Sequence, residues 1–183
     1  MILGLDISTS CTGWCLLDSH GILVDMGSVE LSKVDSIYDK TEKVKQSFLE
    51  LTKAHSVDRV FVEQNLQAYR PGFSSAKTIL ALAKFNGIIS YVANQTFGCK
   101  PMDINVNVAR KAVGLKIKKG KASKKTTKEQ VFDWVSNELK FDWPQKTLKS
   151  GPRKGLTILD PSAFDMSDAY VIAQAGCKMN NRS

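Results

Sequence analysis

The chain has 183 residues, 43% of them hydrophobic, and 26 Lys and Arg against 18 Asp and Glu, a formal net charge of +8. That length buries one sizeable core, so a single domain over 1–183 is expected, and no stretch approaches the ~20 apolar residues that span a bilayer. Cys11, Cys15, Cys99 and Cys177 show no C-x-x-C spacing and there are only two histidines, which argues against zinc sites, disulfide scaffolds and histidine-based triads and for a reducing cytoplasmic setting.

Residues 2–8 read as a strand. Asp6 interrupts its apolar run and no basic residues precede it, so a signal peptide is not expected. Two further strands, 12–18 and 22–31, are joined by the turn Asp18-Ser19-His20-Gly21. Ile37, Thr41, Val44, Phe48 and Leu51 step by four and three, the spacing of an amphipathic helix. VDRVFVEQ, residues 57–64, is the next strand and carries Glu63 near its end. A helix is expected from Ser74 onward, with Gly87 inside it marking close packing against a neighbour. A short strand over 100–104 precedes a helix from Asn105 that stops at Gly114. A further helix starts at Thr126, where Thr126 and Glu129 form a capping-box pair. Residues 141–159 read as a loop. The last helix has Asp160 as its cap and Pro161 at its first position, with Gly176 as its expected end. Three strands in a meander, then strands alternating with helices, predict an α/β fold with a mixed central sheet.

Charge is concentrated. No acidic residue falls between Ile104 and Lys128, whereas nine basic ones do: Arg110, Lys111, Lys116, Lys118, Lys119, Lys121, Lys124, Lys125 and Lys128. A solvated loop is the bland alternative; an uncompensated run of this density favours contact with a phosphate backbone.

The acids are equally patterned. Asp6 lies inside a buried-looking strand, where an isolated carboxylate is costly unless something pairs with it. Asp165 and Asp168 are three residues apart and share a helix face that continues through the apolar Ile172 and Ala175. That stripe is expected to face the sheet. For Asp165 and Asp168 alone the helix dipole is a sufficient explanation, and capping fully accounts for Asp160. Asp6, Glu63, Asp165 and Asp168 brought together from three elements call for more. Such a cluster cannot stay ionised without cations, and hard divalent ions with oxygen ligands, Mg²⁺ or a substituting Mn²⁺, relieve the repulsion. Two ions ~3.5–4 Å apart activate water and stabilise the leaving oxygen in phosphodiester cleavage. The four acids are therefore candidate catalytic residues and metal ligands, and the basic stretch would hold the nucleic acid.

ILGLDISTSCTGW, VFVEQ, SSAKTILALAKFNGIISYVA, ARKAVGLKIKKGKASKK and FDMSDAYVIAQA, in this order, resemble the RuvC-like Holliday junction resolvases of bacteria, phages and poxviruses. The resemblance implies a ribonuclease H-like fold, with a five-stranded sheet flanked by helices. It implies a homodimer that nicks two strands of a four-way junction symmetrically in a Mg²⁺-dependent, two-metal reaction, leaving 5′-phosphate and 3′-hydroxyl ends. Asp6, Glu63, Asp165 and Asp168 match the metal ligands. Lys116, Lys118, Lys119, Lys121, Lys124 and Lys125 fall in the junction-binding stretch, with Lys124 or Lys125 able to reach the scissile phosphate. Arg70, Lys111 and Lys128 complete the expected DNA-binding set. The helix with Ile79, Leu80, Ala83, Gly87 and Ile88 matches the dimerisation region.

The pattern departs from the bacterial enzymes in two places. Asn65 and Leu66 stand where those carry an aromatic wedge; Tyr69 or Phe73 could stack on an unpaired base instead, with loop anchoring the equal alternative. Residues 141–159 have no counterpart. Strict four-way selectivity therefore stays open against other branched DNA (flaps, forks) or an RNA-processing role. A kinase or ATPase lobe shares the G-x-D-x-S-T opening but needs a second lobe, and Gly114 to Gly120 does not match a Walker A loop. A DNA-binding module without catalysis is the non-enzymatic alternative.

Overall fold

The computed structural model describes residues 1–64, 75–118 and 123–180. In chain order these form β1 (Ile2–Ile7), β2 (Cys11–Leu17), β3 (Leu23–Glu30), α1 (Ile37–Ala54), β4 (Arg59–Glu63), α2 (Ala76–Phe97), β5 (Met102–Ile104), α3 (Val106–Val113), α4 (Thr127–Glu138), β6 (Gln145–Thr147), β7 (Thr157–Leu159) and α5 (Ser162–Asn180). No helix among the described residues is long and apolar enough to cross a membrane.

The main sheet has five strands in the order β3-β2-β1-β4-β5. β1, β2 and β3 pair antiparallel, β4 runs parallel to β1, and β5 runs parallel to β4. Side-chain alternation along each strand divides the core between the two faces. Leu3, Leu5, Ile7, Leu16, Val60 and Val62 pack on the face covered by α1 and α2, with Val44, Phe48, Phe85 and Ile89. Ile2, Cys15, Leu17 and Phe61 pack on the other face against α3, α4 and α5. Asp6 shares the parity of Ile2, and Glu63 that of Phe61, so both acids fall on the α5 side.

Local chemistry places the boundaries. Asp18 Oδ1 accepts from the His20 and Ile22 backbone N–H groups at 2.9 and 2.8 Å, and Gly21 takes φ 82°, closing the β2–β3 hairpin. Ser36, Ser75, Asn105 and Thr126 cap four helices, Thr126 and Glu129 as a reciprocal capping box. Asp160 Oδ1 accepts from the Ser162 N–H at 2.9 Å at the start of α5.

α5 is buried along most of its length and touches β1, β2, β3, β4, α3 and α4. It lies unusually close to the sheet. A Cβ at Gly4 would sit 2.5 Å from Ala169 O and Ala173 N, and one at Gly13 only 2.2 Å from Asp165 O. Two strand positions without side chains thus let a helix backbone rest on β1 and β2.

Three expectations need correction. Gly176 does not end the last helix, which runs on to Asn180; a Cβ there would lie 2.3 Å from the Phe61 ring, so the glycine serves packing rather than termination. Gly87 has nothing among the described residues within 4 Å of where its Cβ would stand, and so marks no close contact with them. The presumed loop 141–159 contains the antiparallel pair β6–β7.

Candidate active site

β1 delivers Asp6, the end of β4 delivers Glu63, and the first two turns of α5 deliver Asp165 and Asp168. The Asp6 Cα is paired across the sheet with Gly13, the residue on which the Asp165 carbonyl rests. The missing side chain at 13 is therefore what lowers the acid-bearing end of α5 onto β1. Glu63 is held from behind: its carbonyl accepts from Asn86 Nδ2 at 3.3 Å, and the Gln64 N–H donates to Ile104 O at 2.9 Å.

The four acids feel one another. Burial, then the charges of Glu63, Asp168 and Asp165, hold the Asp6 carboxyl well above the usual carboxylate range, with Lys128 opposing. Burial and then Asp168 push Glu63 up to about 7 against the pull of Arg110 and Lys128. Asp168 is raised by burial first, while Lys128 and Arg110 draw it down.

Two cations answer this charge. Lys128 Nζ, from the first turn of α4, donates to Asp165 Oδ1 at 2.7 Å. Burial works against its ammonium, but the Asp165 hydrogen bond and charge overcome that and leave its pKa raised. Arg110 Nη2, from α3, stands 3.7 Å from Asp168 Oδ1. Its Nε is buried with no hydrogen-bond partner among the described residues, an orphaned donor beside an acid cluster. Arg110 also lines, with Asn107, Lys111 and Lys116, an open groove of about 290 Å³.

The charge run therefore divides. Lys128 and Arg110 reach into the acids; Lys111, Lys116, Lys118, Lys124 and Lys125 are exposed. Lys125 pairs with Asp133 at 2.6 Å rather than with the cluster. Lys119 and Lys121, and with them Arg70, Tyr69, Phe73, Asn65 and Leu66, lie outside the described residues. Sequence reasoning missed the inward role of Arg110, and it missed Cys11. The Cys11 thiol is buried beside Asp165, and burial followed by the charge of that carboxylate raises its pKa. Its signal was its parity: Cys11 and Gly13 alternate on the Asp6 face of β2. Ser8 shapes the adjoining turn, its Oγ donating to Cys11 O at 2.7 Å and accepting from Cys11 N at 3.1 Å.

Among the described residues no group of three or more His, Cys, Asp and Glu side chains is drawn together as a ready-made ion cage. The donor set nonetheless suits a hard divalent cation: clustered carboxylate oxygens, short of counter-charge, without an imidazole. Without such a cation the cluster is a liability that grows with pH. Because folding raises the Glu63 pKa from 4.5 to about 7, the folded chain holds a proton there that the unfolded chain releases. The associated stability is complete below about pH 4.5 and lost as pH rises through about 7. In chelator, the melting temperature is expected to fall across that window, with a smaller fall for Glu63→Gln. An equal fall in the variant would remove Glu63 as the cause.

The sheet order and helix placement are those of the ribonuclease H-like α/β class. No family model matches the chain. The crossover junction endodeoxyribonuclease RuvC of Aliarcobacter butzleri is 30% identical over 145 residues, covering 75% of this chain and 82% of that protein. RuvC of a Sulfurovum species is also 30% identical over 145 residues, covering 75% and 80%. Among solved structures, Thermus thermophilus RuvC in complex with Holliday junction substrate superposes with a TM-score of 0.62 at 16% identity, covering 100% of this chain and 95% of that one. The yeast mitochondrial Holliday junction resolvase gives 0.56 at 14% identity, over 99% and 79%. The chain belongs to the RuvC family of crossover junction endodeoxyribonucleases and is an endonuclease.

Proposed function

We propose that this nuclease resolves four-way DNA junctions in the cytoplasm by hydrolysing phosphodiesters at the Asp6, Glu63, Asp165 and Asp168 cluster, and that its single domain works as a homodimer. The observation that carries the reading is the enclosed acid cluster itself, answered among the described residues by two cations drawn from the basic half of the chain. All four acids would hold divalent ions, Mg²⁺ by hardness and Mn²⁺ in its place. When bound, such ions supply charge compensation, a water nucleophile at neutral pH and stabilisation of the leaving oxygen.

The chain's own residues do the rest. Glu63, with a pKa of about 7, gives up its proton near neutrality as the site charges. The Lys128 side chain is 57% exposed, so its ammonium can pass from Asp165 to an incoming phosphate oxygen. Arg110, more enclosed, orients Asp168 and offers its unpartnered Nε. The exposed Lys111, Lys116, Lys118 and Lys124, from the same basic stretch as Arg110 and Lys128, would supply the charge that draws in a polyanion. Pairing of two chains is supported by α2, where Leu80 and Tyr91 are 69% and 65% exposed and Gly87 is open; a small-residue gap between large apolar side chains suits a second helix.

Offered a synthetic four-way junction, a flap and a linear duplex, the chain should introduce paired nicks in the junction alone, dependent on Mg²⁺ and sealed directly by DNA ligase. Equal cutting of linear duplex would overturn the junction reading. Preferential cutting of the flap would move the substrate to other branched DNA.

A further inference from the structure

Between Asp142 and Asp160 the chain has no acidic residue and four basic ones, Lys146, Lys149, Arg153 and Lys154. All four are exposed on the β6–β7 hairpin, and among the described residues none pairs with a carboxylate. The hairpin is built, not frayed. Lys146 lies opposite Ile158 and Thr147 opposite Thr157, whose hydroxyls meet at 3.2 Å. The Leu148 N–H donates to Leu156 O at 3.0 Å and the Gly155 N–H returns to Leu148 O at 2.8 Å. Gly151 and Gly155 take φ 79° and 88° to turn the tip.

Its root is fixed to the active site. Trp143 packs edge-on against Phe132 of α4 at 4.9 Å, and Phe132 against Phe164 at 5.6 Å. Phe164 immediately precedes Asp165, and Phe132 lies one turn beyond Lys128 on α4. The aromatic cluster thus ties the basic hairpin to α4, which carries Lys128, and to α5, which carries Asp165 and Asp168.

Among the described residues the hairpin adds little to the core: its strands are exposed or half-buried, and a lone two-stranded ribbon is marginal in water. A small anion would call for a concave pocket, whereas these charges are spread over a protrusion. Extended at ~3.4 Å per residue, the arm from 145 to 150 reaches roughly 20 Å from its root. That is beyond the ~8 Å Debye length at physiological salt, so it acts on charge that the cluster-side lysines do not reach. An extended polyanion fits both.

We propose that the β6–β7 hairpin is a second DNA-binding element, gripping the phosphate backbone of a duplex arm outside the cutting site. This rests on the nuclease reading above. The test is the full chain with Lys149→Gln, Arg153→Gln and Lys154→Gln together. Junction binding is titrated in Ca²⁺ from about 50 to 200 mM salt, and single-turnover cutting is followed in Mg²⁺ at saturating protein. The salt slope should become shallower by about 2–3 and affinity at about 150 mM salt fall roughly 10–100-fold, with the saturated cutting rate held within about twofold. The charge-keeping Lys149→Arg, Arg153→Lys, Lys154→Arg chain should match the unaltered protein. An unchanged slope and affinity in the Gln variant overturns the proposal, as does an equal loss in the charge-keeping variant. If the unaltered chain neither binds nor cuts the junction, the functional reading falls first; if it does both while the Gln variant is indistinguishable, the hairpin proposal alone falls.

Discussion

Asp6→Asn is expected to abolish junction cutting while raising the stability of the metal-free chain. Loss of one ligand from a metal-assisted site removes several kcal/mol of transition-state stabilisation, and about 4 kcal/mol corresponds to about 10³-fold in rate. Junction affinity should persist, because the exposed lysines that would hold the backbone are untouched. The stability gain follows from the same geometry. Asp6 is held well above the carboxylate range by burial and by Glu63, Asp168 and Asp165, so folding stability is lost as pH rises from the ordinary carboxylate range through that raised pKa, and a neutral amide of the same shape does not carry that cost. Each kcal/mol recovered should lift the melting temperature by about 2–4 °C in a chain of this size. The two readouts must move in opposite directions. A variant that is less stable and still inactive would point to a structural carboxylate; a fully active variant would remove Asp6 from the site.

The second large effect is expected at a residue with no functional group. Gly13→Ala would place a methyl 2.2 Å from Asp165 O and 2.4 Å from Asp165 C. Both are backbone atoms, so no side chain can swing away, and α5 must lift. Overpacking of this kind costs about 1–3 kcal/mol. The local consequence is larger: Asp165 and Asp168 ride on the segment that lifts, and a misplacement near 1 Å in a catalytic constellation costs roughly 10²-fold. Single-turnover cutting at saturating protein and the melting temperature separate the two contributions. A rate that stays near that of the unaltered chain despite a lower melting temperature would show that the height of α5 does not set the acid geometry.

What the sequence disclosed depended on periodicity. Asp6 and Glu63 were legible because alternation along a strand puts an acid on a definite face, and Asp165 and Asp168 because helical spacing joins them to Ile172 and Ala175. Contacts without a period were not. Lys128 meets Asp165 across 37 residues of sequence, and Arg110 meets Asp168 from another helix, so both were submerged in a run of charge that read as one phosphate-binding stretch. Gly176 resembled a helix stop because glycine at a C-terminus and glycine under an aromatic ring look alike in one dimension; only Phe61 tells them apart. Glycine inside a strand does signal a close backbone approach, and Gly4 and Gly13 carried that signal in the opening strands. The β6–β7 pair escaped because its strands are three residues each, too short for alternation to register, and its glycines and lysines have the composition of a loop.

Proton-linked metal binding tests the shared carboxylate site most directly. Calorimetric titration of Mn²⁺ or Mg²⁺ into the metal-free chain, in two buffers of different ionisation heat, reports the protons displaced. With Glu63 near 7 and Asp6 and Asp168 raised, binding should release protons, more at about pH 6.5 than at about pH 8.5. Asp6→Asn should lose both the affinity and the proton release. Binding with no proton release at either pH, or binding unchanged in Asp6→Asn, would contradict a metal site shared by these four acids.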